Sequence, residues 1–235
     1  MSNNEVTDES LAFALNGRNA VFNVLSKVFA DVPSAETDRL VQEAIKGIVS
    51  FVCHTCNSDM LKGIDLLIPD STDYSWDLVV TADSSEDRAR DYTWLFLSGR
   101  GAISLNESVY LSPERLLMQE PWAAVKAFYY SNNIRCVPGT GITEDHLAAE
   151  LQFMSITSEK AALMCLSGET DSMINILRVQ REFYKNHILR WFSEVCNRIT
   201  ARQDRLNSVY YPVFAYILKG YINEDYRFIC ELTSE

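Results

Sequence analysis

The sequence predicts an all-α protein, a single helical-bundle domain of about nine to eleven helices. Three observations predict it. Apolar residues recur at i, i+3 and i+4 through most of the 235 residues. Only 9 glycines and 6 prolines are present, too few for a turn-rich all-β design. The 47% hydrophobic and 23% charged fractions are those of a chain that buries a core without disulfide staples.

Residues 8–30 carry Leu11, Ala14, Leu15, Val21, Phe22, Leu25, Val28 and Phe29, a helical stripe interrupted at Gly17 and Arg18. Pro33 separates this helix from the next, where Leu40, Val41, Ala44, Ile45, Ile48 and Val52 repeat the pattern over 35–53. A short helix is expected over 58–68, ending at Pro69, and another becomes clear from Ser85 to Leu97, closed by Ser98, Gly99 and Gly101. Residues 99–113 read as a loop-rich connection, the one place where the domain divides locally into halves. Pro121 sits in the permitted first turn of a helix over 120–132. After the break at "RCVPGTG", helices are expected over 143–166, 170–200, 203–220 and from 222 onward.

The net charge of -11 repels phosphate backbones and favours a basic partner, so nucleic-acid binding is not expected. The polar, acidic "MSNNEVTDES" lacks the basic and apolar regions of a secretory signal. No stretch approaches the roughly 20 apolar residues of a membrane span, and the expected location is the cytoplasm. The six cysteines accordingly read as reduced thiols.

The segment "TEDHLAAELQFM" (143–154) loads a helix start with ionisable groups. Thr143 reads as the N-cap, with Glu144 and Asp145 placed to favour the helix dipole. Leu147, Leu151 and Met154 form a buried stripe, and His146 and Glu150, four apart, fall one column aside, at the edge of the core. Taken alone, such a capped helix needs no function.

This segment resembles the acid-Asp-His-Leu-x-x-Glu-Leu-x-Phe-Met signature of the TorD/DmsD/NarJ family, cytoplasmic chaperones of molybdenum-containing redox enzymes. Two further stretches match in order. "DYTWLFLSGRGAISLNESVYL" (91–111) resembles the family's aromatic-x-x-Leu-Phe segment followed by Glu-Ser-Val-aromatic, and "FYKNHILRWFSEVCNRI" (183–199) resembles its His-x-x-x-Trp helix. The resemblance spans about 85–200. It departs at Thr143, where the family often has Pro, and in "YSWDLVVTADSSED" (74–87), which has no counterpart.

The resemblance implies an all-helical protein without enzymatic activity. It binds the twin-arginine signal peptide, and also the body, of a molybdoenzyme catalytic subunit, and holds the precursor back until cofactor insertion and folding are complete. A monomer or a domain-swapped dimer is compatible with it, and it leaves room for weak guanine-nucleotide binding but no tightly bound cofactor. A receptor for paired guanidiniums joined to an apolar helix needs carboxylates and an aromatic groove. Glu107, Asp145 and Glu150 are the candidate arginine partners, and Ser108 belongs to the same motif. Tyr92, Phe96, Tyr110 and Trp191 are candidate groove walls, and His146 and His187 candidate positioning groups. Each also has a plain structural reading: the aromatics as core, and Glu107 and Ser108 as the cap of a short helix after Asn106.

Rival chemistries are weaker. "CHTC" (53–56) is half a zinc site without a second pair, and lacks the βαβ context of a thioredoxin-type redox motif. "PGTGITEDH" places two glycines before an expected helix start but lacks the lysine and spacing of a P-loop. Three histidines and no nucleophile elbow leave little for a hydrolase.

Overall fold

A computed structural model describes residues 8–67, 84–137 and 139–234, with the Cys53 side chain excepted. The stop at Pro69, Pro138 and most of the 74–87 segment therefore lie outside the described residues. Within them the chain is all-α, with no strands.

Helix α1 (Asp8–Ala30) runs along α7 (Leu147–Leu166), and this pair is the most extensive helix contact in the fold. Helix α2 (Ala35–Thr55) starts where Ser34 Oγ accepts from the Thr37 amide and stops at Cys56, whose left-handed φ of 51° turns the chain into α3 (Ser58–Leu67). Helix α4 (Ser85–Tyr92) is capped by Ser84 and runs into a π-turn, Thr93–Leu97. The short α5 (Glu107–Leu111) and the longer α6 (Glu120–Ser131) follow. Helices α8 (Thr170–Asn186), α9 (Phe192–Thr200) and α10 (Tyr210–Leu232) complete the bundle, with α10 packed on α3, α8 and α9.

Three expected boundaries change. The connection over 99–113 contains α5, the short helix after Asn106. The helix expected over 170–200 breaks at His187–Trp191 into a 3-10 turn, Ile188–Arg190; the break lets His187 and Trp191 reach carboxylates on two other helices. The two helices expected from 203 onward become one, because Gly220 does not interrupt α10. A Cβ there would lie 2.5 Å from Asn57 Oδ1 and collide with Met60, so the glycine seats the start of α3 against α10 instead.

Arg18, where the α1 stripe falters, is buried. It forms a bidentate pair with Asp225 on α10, and its Nη2 also donates to Gln180 on α8 at 2.7 Å. Gln180 in turn donates to Met154 O, Thr157 and Ser158 of α7. One polar network thus ties four helices together inside the apolar core.

Candidate functional site

The signature segment is placed by a short antiparallel pairing. Leu147 N donates to Leu105 O at 2.7 Å, and Glu107 N donates to Asp145 O at 2.8 Å. This sets the starts of α5 and α7 side by side. The N-cap of α7 is His146, not Thr143: its Nδ1 accepts from Ala148 N at 3.2 Å. Burial pulls the His146 imidazole down to about 4, so it is neutral at pH 7 and able to accept.

Asp145 is fully buried and its carboxylate is saturated. Oδ1 accepts from Thr143 Oγ1 at 2.7 Å and from Asn106 Nδ2 at 3.2 Å; Oδ2 accepts from the Ser108 amide at 3.0 Å and from the Ser108 hydroxyl. Asp145 is therefore the missing side-chain cap of α5, supplied from another element, since Asn106 makes no cap bond of its own. The sequence points to Thr143 as the cap of α7 and to Asn106 as the residue before a short helix; their hydrogen bonds to Asp145 are what it does not disclose.

Glu107 and Glu150, also buried, meet on the other side of α5. His187 Nδ1 lies 3.1 Å from Glu107, in a ring cage formed by Phe183 and Phe128. Trp191 Nε1 donates to Glu150 Oε2 at 3.2 Å, while Glu150 Oε1 faces no donor. Burial, reinforced by the Glu107 and Asp145 carboxylates, holds the Glu150 carboxyl well above the usual carboxylate range. The shift favours the protonated form, which lowers the repulsion from the neighbouring Glu107 carboxylate. The edge-of-core position expected for Glu150 is corrected: it is inside, and only His146 stays half-buried.

The candidate aromatics fall into two groups. Trp191 is buried, and Tyr110 stacks on it at 5.4 Å while donating to Ser104 O at 2.7 Å. Tyr92 and Phe96 belong elsewhere, packed on Tyr211 of α10 at 5.9 and 5.5 Å. Tyr92 and Trp191 are buried in the core, while Phe96 and Tyr110 are half-buried and pack against it. Glu144 is engaged too, accepting from Trp122 Nε1 at 2.7 Å and pairing with Lys126 at 3.3 Å. The Gly139 and Gly141 loop does not open onto the α7 N-terminus, which begins only at Leu147.

The structure thus brings Glu107, Ser108, Tyr110, Asp145, His146, Glu150, His187 and Trp191 into one neighbourhood. Among the described residues, the partners shown for the three carboxylates are hydroxyls, amides, an indole and one histidine, and no lysine or arginine.

A family model described as nitrate reductase delta subunit matches residues 67–197, a span containing every one of these residues. A protein described as chaperone protein TorD, from Psychrobacter sp. (strain PRwf-1), is 24% identical over 149 residues, covering 63% of this chain and 64% of the relative. The chain thus matches slightly less than two thirds of that relative's length.

Proposed function

The chain belongs to the nitrate reductase delta subunit family, in keeping with its TorD/DmsD/NarJ-like motifs, and on that premise we propose that it is a cytoplasmic chaperone for the maturation of a molybdoenzyme. It binds the twin-arginine leader of the catalytic subunit and holds the precursor until cofactor insertion and folding are complete. This work requires no covalent chemistry from the chaperone.

One observation carries the reading: three buried carboxylates gathered with no lysine or arginine partner shown among the described residues. Buried charges are costly unless paired, and a planar guanidinium matches two carboxylate oxygens at once. In the free chain, burial and the neighbouring carboxylates push Glu150 toward its protonated form. An arginine entering between Glu107 and Glu150 replaces that proton and gives Glu150 Oε1 the donor it lacks. Five-residue α5 covers the cluster and is held down by Asp145, so Asp145 acts as the positioning residue of the cover, and Glu107 and Glu150 as the arginine partners.

The experiment is calorimetric titration with synthetic leaders of molybdoenzymes, using Lys–Lys variants as controls. The Arg–Arg leader binds with salt-sensitive affinity, and Glu150→Gln and Glu107→Gln each lose roughly 2–5 kcal/mol, the usual cost of truncating one partner of a buried charge pair. Equal affinity for the Arg–Arg and Lys–Lys leaders, or unchanged affinity in both variants, overturns the assignment.

A further inference from the structure

A cleft of about 880 Å³ lies away from the acid cluster, between α1, α2 and α10. We propose that it is a docking groove for an apolar helical segment of the client that carries basic residues. The proposal rests on the reading of the chain as a client-binding chaperone and adds a second contact to it. All three helices lie outside the span 67–197 matched by the family model, so the groove belongs to the part of the chain that the match does not reach.

Two glycines carry the argument. Gly17 on α1 and Gly47 on α2 both line the cleft, and both stand inside long helices, where glycine weakens the helix relative to alanine. Elsewhere in this fold a helical glycine has a visible reason. A Cβ at Gly63 would meet Val213 O at 3.0 Å, and one at Gly220 would meet Asn57. At Gly17 and Gly47 it would meet nothing within 4 Å. Among the described residues none uses the space they leave, and the close approach they permit suits the backbone of a partner.

The walls and rim define that partner. Phe13 is 81% exposed and Phe51 38% exposed, and with the half-buried Phe228 they flank the groove with rings. Among the described lining residues the acids are Glu43, Glu224, Asp225 and Glu231 and the cations Arg18 and Arg227; Arg18 pairs with Asp225, Arg227 with Glu224, and Glu43 lies 3.8 Å from Arg39 in an exposed pair. An apolar trough with an acidic border fits a helix with an apolar face and lysine or arginine beside it. The net charge of -11 works against a second copy of the chain as occupant, and against an anionic membrane.

The test uses two synthetic probes and fluorescence anisotropy. The first is a Leu/Ala-faced helical peptide of about 16 residues with flanking lysines and no arginine pair, long enough to form a helix when bound. The second is an Arg–Arg peptide without the apolar stretch. Gly17→Leu and Gly47→Leu fill the groove floor with a better helix former, so both variants fold at least as stably as the parent. Each weakens binding of the first probe by about tenfold or more and leaves the second unchanged, whereas Glu150→Gln does the reverse. Glu43→Lys and Glu231→Lys weaken the first probe several-fold and reduce its salt dependence. Undiminished binding of the first probe by both leucine variants overturns the groove. So does sedimentation showing a dimer of the parent that Gly47→Leu dissolves, which assigns the cleft to a second copy. Failure of the second probe alone sinks the acid-cluster reading and leaves the groove standing.

Discussion

Arg18 and Asp225, 207 positions apart, form a buried bidentate pair, with Nε 2.6 Å from Oδ1 and Nη2 3.0 Å from Oδ2. Both side chains are almost wholly excluded from solvent, at 5% and 2% exposure. Tyr184 adds a third donor to Asp225 at 2.7 Å. Removing the carboxylate strands a guanidinium in the core, so Asp225→Ala should lose about 3–5 kcal/mol. Replacing both partners with apolar residues, Arg18→Met with Asp225→Leu, should recover part of that loss, the rest being kept by the orphaned Gln180 and Tyr184. Urea unfolding midpoints of the three chains measure it, the slope staying constant if the transition stays two-state. Equal stability of the single and double variants would remove the pair from its place in the core.

The glycines make opposite predictions by position. Gly220→Ala pushes a methyl into Asn57 Oδ1, the atom that accepts from the Asp59 and Met60 amides at the start of α3. Overpacking of this kind costs about 1–3 kcal/mol. Gly47→Ala meets only open space and should gain up to about 1 kcal/mol from helix propensity. Thermal melts of the two variants should therefore move in opposite directions from the parent.

The same positions show how much the sequence discloses. Apolar periodicity locates the long helices because it is a property of one helix and its own face. Leu147, Leu151 and Met154 are wholly buried as their spacing requires. What periodicity cannot reveal is a partner far along the chain. The seating of Gly220 against Met60 and Asn57 is invisible until the fold is seen, and Arg18 reads as a polar interruption until Asp225 reaches it. The same limit applies to the site. The motifs pick out Asp145, Glu107 and Glu150, but their burial follows from the pairing of 105–107 with 145–147, a contact between segments roughly 40 residues apart. Asp91 is a further case: it lies in a quoted motif, yet its carboxylate holds the amides of Asn207 and Ser208 before α10.

Asp145→Ala separates cap from binding group. It leaves the Ser108 amide and hydroxyl without their acceptor, a loss of about 1–3 kcal/mol for a buried donor. The loss should be local. Amide exchange at Ser108 and neighbouring α5 positions should quicken strongly, while Leu151 and Met154 in the middle of α7 stay protected. Uniform acceleration across both helices would show that Asp145 stabilises the whole bundle and not the cover over the acid cluster.

His146 contributes a pH dependence of definite sign. Its ring stays neutral in the fold down to about 4, whereas the unfolded chain takes up a proton near 6.5. Between those values the unfolded state binds more protons, so this residue makes stability rise with pH from about 4 to 6.5 and adds no slope above. His146→Asn keeps an N-cap acceptor for Ala148 N and should erase that rise. Urea denaturation across this range detects it as the loss of that rising contribution.

Glu150 slopes the other way. Its folded carboxyl holds a proton well above the ordinary 4.5, so the folded state binds more protons once the pH passes that value. The stabilisation this gives is complete below 4.5 and is lost as the pH rises through the folded pKa. Between 4.5 and 6.5 the two residues therefore oppose each other, and the parent chain should be flatter than either single variant. Glu150→Gln imitates the protonated form, since an amide can donate to Glu107 and accept from Trp191. It should hold the parent's stability at low pH, exceed it as the pH rises, and expose the His146 slope alone. The same titration governs the proposed binding. An arginine that pairs with Glu150 must expel its proton, so leader affinity should increase with pH, and calorimetry in buffers of different ionisation enthalpy should register proton release. A pH-independent affinity with no proton released would place the guanidinium somewhere other than Glu150.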